Sequence, residues 1–191
     1  MVVTARSPLH LLVNFVAFEI GWFAAVLGAA HQRVWQGVAV AMLVVLLHLL
    51  MSHRVLRELQ LLFCVMVIGA VWDSALAATH IIQYPSGQVL PATAPVWIIA
   101  VWALFATTLN VSMVFLRGRP LLAAFIGIVG APLSFLGGMH LNALQFPDTN
   151  KALLALAIGW ALWMPLMIYL AKRFDGVSVV DERLTAVEVM S

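Results

Sequence analysis

Asp73 and His80 stand seven residues apart in an otherwise apolar stretch. Seven residues are close to two helical turns, so on a helix the carboxyl and the imidazole share one face. Such a pair can relay protons, hold a lipid headgroup or ligate a metal. His140, beside Asn142, and His31 close other apolar stretches, and could complete a polar cluster with Asp73 and His80. The plainer reading makes His31, His80 and His140 interfacial side chains wetted at helix ends, and Asp73 a structural acid that is paired or protonated. Asp73, His80 and His140 are thus the candidate catalytic residues, with Glu19, Trp72 and Asn110 as candidates for substrate contact. His10, His48 and His53 offer no ligand spacing. No HExxH, GxSxG, Walker-type or dinucleotide pattern is present, and no metal or cofactor is expected. Haem or metal between opposed histidines would require His80 to meet His140 and is disfavoured. The single cysteine, Cys64, allows neither an intramolecular disulfide nor a Cys-based zinc site.

The elements that must position these residues are dictated by composition. Of 191 residues, 64% are apolar and 9% charged, against roughly 45–50% and 25% in an average soluble domain. So much apolar surface on so short a chain would lie exposed in water as sticky patches. The lipid bilayer is the solvent that fits, and the expected partner. The net charge of +2 comes from scattered basic residues, without the basic block that nucleic-acid binding needs.

Apolar runs at 11–30, 34–51, 59–78, 96–116, 121–141 and 152–171 each approach the ~20 residues that cross a hydrocarbon core. Backbone amides in lipid must be satisfied within the segment, and the runs lack strand alternation, so an all-α polytopic bundle of six transmembrane helices is expected. With the N-terminus cytoplasmic, Arg6, Arg54, Arg57, Arg117, Arg119, Lys172, Arg173 and Arg183 fall inside and Arg33 and Lys151 outside, which predicts both termini in the cytoplasm. A single bundle domain over 1–171 and a short cytoplasmic tail over 172–191 follow. The first apolar run is broken by Asn14 and Glu19 and carries Trp22, which argues against a cleaved signal peptide. Residues 83–95 form an uncharged outer loop.

Within the fifth run, Gly130, Ser134 and Gly138 recur every four residues beside Gly127 and Ala131, which predicts a groove for close helix approach and a central place in the bundle. Pro132 should loosen that helix locally. Trp35 and Trp97 fit an aromatic belt, whereas Trp22, Trp72, Trp102, Trp160 and Trp163 lie deeper. A carboxylate at mid-bilayer costs about 3 kcal/mol even on a mild scale. Glu19 and Asp73, about 12 and 21 Å from the cytoplasmic ends, therefore each need a partner, a proton or water. Asn14 and Asn110 are expected to hydrogen-bond between helices.

Residues 14–28, Trp72-Asp73, Pro95-Val96-Trp97 leading into 102–110, and 130–138 together resemble the bacterial domain-of-unknown-function family 2878, in order and spacing, up to about Pro147. The resemblance implies a small bacterial inner-membrane protein without an established activity, and it adds weight to Asp73 and the 130–138 stretch. Two classes of function stay open. One is a lipid-associated accessory factor or lipid-modifying enzyme; the other is a small proton-coupled carrier using a buried carboxylate.

Overall fold

The computed structural model describes residues 7–178; Arg6, Arg183 and most of the expected tail lie outside them. Six α-helices run through these residues: α1 Pro8–Ala30, α2 Val34–Leu50, α3 Val55–Ala78, α4 Val96–Leu109, α5 Pro120–His140 and α6 Thr149–Arg173. A 3-10 turn, Val114–Leu116, separates α4 from α5. Each expected apolar run maps to one helix. The fourth departs most, because its helix stops at Leu109 and residues 110–116 continue as turns.

Helix starts carry local signals. Ser7 caps α1 by accepting from the His10 amide, with Pro8 in the first turn, where its missing N–H costs nothing. Asp148 caps α6 by accepting from the Lys151 amide. Among the described residues, α1, α3, α5 and α6 are long and apolar enough to cross a membrane, while α2 and α4 are shorter apolar helices. Large apolar side chains such as Phe23, Leu46, Phe63, Phe125 and Leu162 face outward. Fully buried positions include the acids Glu58 and Asp73. This apolar exterior over a core with polar groups is what a membrane-embedded protein requires.

The expectation that α5 is central is corrected. The central element is α4, buried at 11 of its 14 residues and packed against α1, α2 and α3, while α5 packs chiefly on α6. On α5 the tight approach is made at Gly127, which lies against the Trp160 backbone and Met164. Gly130 and Ser134 are exposed, and a side chain at Gly130 would meet nothing. The small-residue stripe is therefore used along one edge only. Pro132 sits within the continuous α5, and Pro165 within α6.

The interior is built by indole rings laid on glycines of neighbouring helices. Trp102 of α4 covers Gly69 of α3, Trp72 of α3 covers Gly159 of α6, and Trp22 of α1 reaches Gly137 of α5. The absent Cβ lets a ring replace it at contact distance, a knob that larger residues would exclude.

Neighbouring helices alternate in direction. Asn14 and Ser112 meet at one end of the bundle, as do Asn110 and Glu58; at the other end Ser86 bonds to Ala29 and Gln83 pairs with Gln145 through the backbone. The first end collects Arg54, Arg57, Arg117, Arg119, Lys172 and Arg173, and the second holds Arg33 and Lys151. At this second end three helices stop in the same way. Gln32, His80 and Asn142 take left-handed backbone with φ of 60°, 55° and 63°. The amide after each bonds back to Gly28, Leu76 or Gly138, which satisfies a carbonyl the helix end would orphan.

His80 is thus a chain-reversing residue. A non-glycine residue there carries a conformational cost of about 1 kcal/mol. We expect His80→Gly to raise the unfolding temperature in detergent, with about 1 kcal/mol of added stability, measured by tryptophan fluorescence on heating.

Candidate functional site

Asp73 is 0% exposed, and both carboxyl oxygens are engaged. The Tyr84 hydroxyl donates to Oδ1 at 2.8 Å and the Trp102 indole N–H donates to Oδ2 at 2.6 Å. Tyr84 reaches it because residues 79–95 fold back over the bundle instead of looping away, burying Ile82, Tyr84 and Ser86. Trp97 is buried beneath this cover and donates to the Ser86 carbonyl at 3.3 Å, so it does not belong to an exposed belt, whereas Trp35 does face outward. Burial and the neighbouring Asp73 carboxyl push the Tyr84 phenol well above its ordinary range, which keeps it a donor.

The partners of Asp73 are therefore a phenol and an indole, and the expected cluster with His80 and His140 is not formed. Both histidines are exposed, as is His31, whose Nδ1 pairs with the Leu27 carbonyl at 2.9 Å. Among the described residues no three His, Cys, Asp or Glu side chains come together as metal ligands.

Trp102 links Asp73 to a cavity of about 350 Å³ between α1, α4, α5 and α6. Its floor is aromatic: Trp102 stacks on Trp160 at 4.9 Å, and Phe105 presents its edge to both rings. Glu19 of α1 and Ser134 of α5 are the acid and hydroxyl on its wall, among apolar neighbours such as Phe15 and Ile126. Phe15, Gly130 and Ser134 are exposed at its rim, so the cavity opens sideways between α1 and α5. Trp22, also in the wall, reaches α5 at Gly137. Of the expected substrate-contact residues, Glu19 lines this cavity. Trp72 does not; its ring lies against Gly159 and Trp163.

Asn110 belongs to a separate polar network at the basic end. It donates to Glu58 Oε1 at 2.8 Å, and Glu58 also takes the Gly176 amide at 2.8 Å and pairs with His48 Nε2 at 2.9 Å. The Arg117 guanidinium donates to the side-chain amide oxygen of Asn110 and to Asp175 Oδ2, the latter at 2.8 Å. Residues 174–178 are thereby held on the bundle, with Asp175 accepting from the Val177 and Ser178 amides. Burial pushes the Asp175 carboxyl up, but hydrogen bonds from Ser178 and the Arg117 guanidinium outweigh it and hold it below the usual carboxylate value. Sequence reasoning missed Glu58, which lies between Arg57 and Leu59 and reads as a solvated helix start, and Tyr84, which reads as a loop residue. The ten-residue interval from His48 to Glu58 gave no signal, since it crosses a turn.

Fold and site together define a membrane-embedded helical protein with an acid buried behind an aromatic, side-opening cavity. The chain belongs to the family described as Protein of unknown function (DUF2878), whose sequence model matches residues 11–166. No curated protein and no solved structure matches it.

Asparagine at 73 can keep one acceptor toward Trp102 while donating to the Tyr84 oxygen, whereas leucine strands both donors at about 1–3 kcal/mol apiece. We expect Asp73→Asn to fold with slightly reduced thermal stability and Asp73→Leu to lose several kcal/mol or fail to accumulate, read by detergent thermal melts and membrane levels. The low-lying Asp175 stabilises the folded chain fully above the ordinary carboxylate value near 3.9 and loses that contribution as pH falls through its depressed folded value. Proteolysis within 174–178 should stay slow from pH 5 to 8 and accelerate in Asp175→Asn across that whole range.

Proposed function

We propose that this protein is a lipid-associated factor of the bacterial inner membrane, with the basic end in the cytoplasm, that takes a hydrocarbon chain into the cavity between α1 and α5. The observation that carries the reading is the cavity's place. Glu19 lies about 17 Å along a helix of about 34 Å, and α5 contributes its middle, from Ile126 to Phe135, so the opening lies at acyl-chain depth. An apolar wall at that depth has hydrocarbon for its natural occupant. Aromatic rings on the floor give a fixed shape at little conformational cost.

A proton-coupled carrier has one observation in its favour. Tyr84, whose hydroxyl meets Asp73, also lines a second pocket of about 390 Å³ at the loop end with His80 and Gln83. Tyr84, Asp73 and Trp102 therefore stand between two cavities. Proton flux in proteoliposomes that Asp73→Asn abolishes would favour this second reading over the first.

Gly130 supplies the direct test of the lipid reading, because a side chain there projects into open space at the rim. In vesicles of phosphatidylethanolamine carrying a diazirine acyl chain, photolabelling is expected to concentrate on peptides of the cavity wall. Gly130→Phe should lower that labelling by about ten-fold, the scale of one filled hydrophobic subsite, without loss of thermal stability. Uniform labelling over all outward helix faces, unchanged in the variant, would reject it.

A further inference from the structure

We infer that the cavity takes a hydrocarbon chain bearing a hydroxyl group partway along its length, recognised by Glu19. This rests on the proposed chain-binding role and adds what selects the chain. Glu19 projects from the middle of α1 into the cavity wall. Among the described residues it has neither a hydrogen-bond nor an ion-pair partner, unlike Asp73, Glu58, Asp148 and Asp175, each of which has one. No Lys, Arg or His lines the cavity with it.

A carboxyl at this depth without a counter-charge resides there as the neutral acid, which has one donor and further acceptor capacity. An unsubstituted alkyl chain offers it nothing, and leaves the acid unsatisfied in an apolar surround. A hydroxyl both donates and accepts, so it matches the acid reciprocally, as a phenol and an indole match Asp73 from the donor side alone. Ser134, on α5 in the same wall and also without a partner among the described residues, supplies a second hydroxyl. The position along the chain follows from depth: a hydroxyl beside the headgroup would stay near the interface, about 15 Å from Glu19.

Discrimination can be read by competition against the diazirine acyl label, using octadecanoic acid, its 10-hydroxy analogue and its 2-hydroxy analogue. On the wild-type chain the 10-hydroxy acid is expected to compete about ten-fold better than the unsubstituted acid, the scale of one satisfied buried hydrogen bond, and the 2-hydroxy acid no better. Glu19→Leu should erase that advantage while leaving labelling itself intact, and Glu19→Gln, which keeps a donor and an acceptor, should retain most of it. Equal competition by all three acids, in a protein whose labelling Gly130→Phe still lowers, overturns the hydroxyl recognition and leaves chain binding standing. Labelling that Gly130→Phe does not change overturns both.

Discussion

The indole of Trp102 meets two demands at once in a place that water does not reach. Its ring fills the space over Gly69 and stacks on Trp160, and its N–H, unlike the buried indole N–H groups of Trp72, Trp160 and Trp163, finds an acceptor among the described residues. A buried donor left unmade costs about 1–3 kcal/mol, and Asp73 answers it. That answer creates a second need, since a carboxyl so buried requires more than one donor. The chain supplies it by folding residues 79–95 back until Tyr84 arrives. The packing of α4 on α3, the cover over one end of the bundle and the floor of the cavity all meet at this one ring.

The two ends of the bundle are secured by different chemistry. At the end that carries Arg33 and Lys151, closure is made mostly by backbone: left-handed residues terminate three helices, and a short antiparallel bridge ties one loop to another. At the basic end it is made by charge and amide groups, with Glu58, Asn110, Arg117 and Asp175 linking α2, α3, the turn after α4 and the segment after α6. A buried carboxyl group that is multiply hydrogen-bonded fixes register well, because any slip strands buried polar atoms.

Much of the helical frame was legible in the sequence. Apolar runs and their polar breaks located the six helices of the described residues, since the need to satisfy backbone groups in lipid leaves few alternatives. That Asp73 needs partners was legible, because an acid in such a run has to be answered. Its partners were not legible: Trp102 lies 29 residues away and Tyr84 in a loop, and periodicity along one helix carries no information about which neighbour arrives. The pairing with His80 came from reading one helix face in isolation. The Gly130–Ser134–Gly138 stripe misled for a related reason, because small residues that permit close approach can equally line an opening when no helix comes to fill them. Glu58 escaped notice since an acid near a helix start ordinarily meets water, and here the C-terminal segment covers it.

The burial of α4 has a consequence for how the protein is made. At about 21 Å it is too short to span a hydrocarbon core alone, and none of its large apolar residues faces outward. The three helices that it packs against most, α1, α2 and α3, all precede it in the chain. When α4 leaves the ribosome its receiving groove has already been synthesised, and the α5–α6 hairpin follows as a pair whose main packing partner is itself. Biogenesis in chain order thus gives α4 most of its neighbours before it is made, and leaves the face toward Trp160 to be closed when α6 follows.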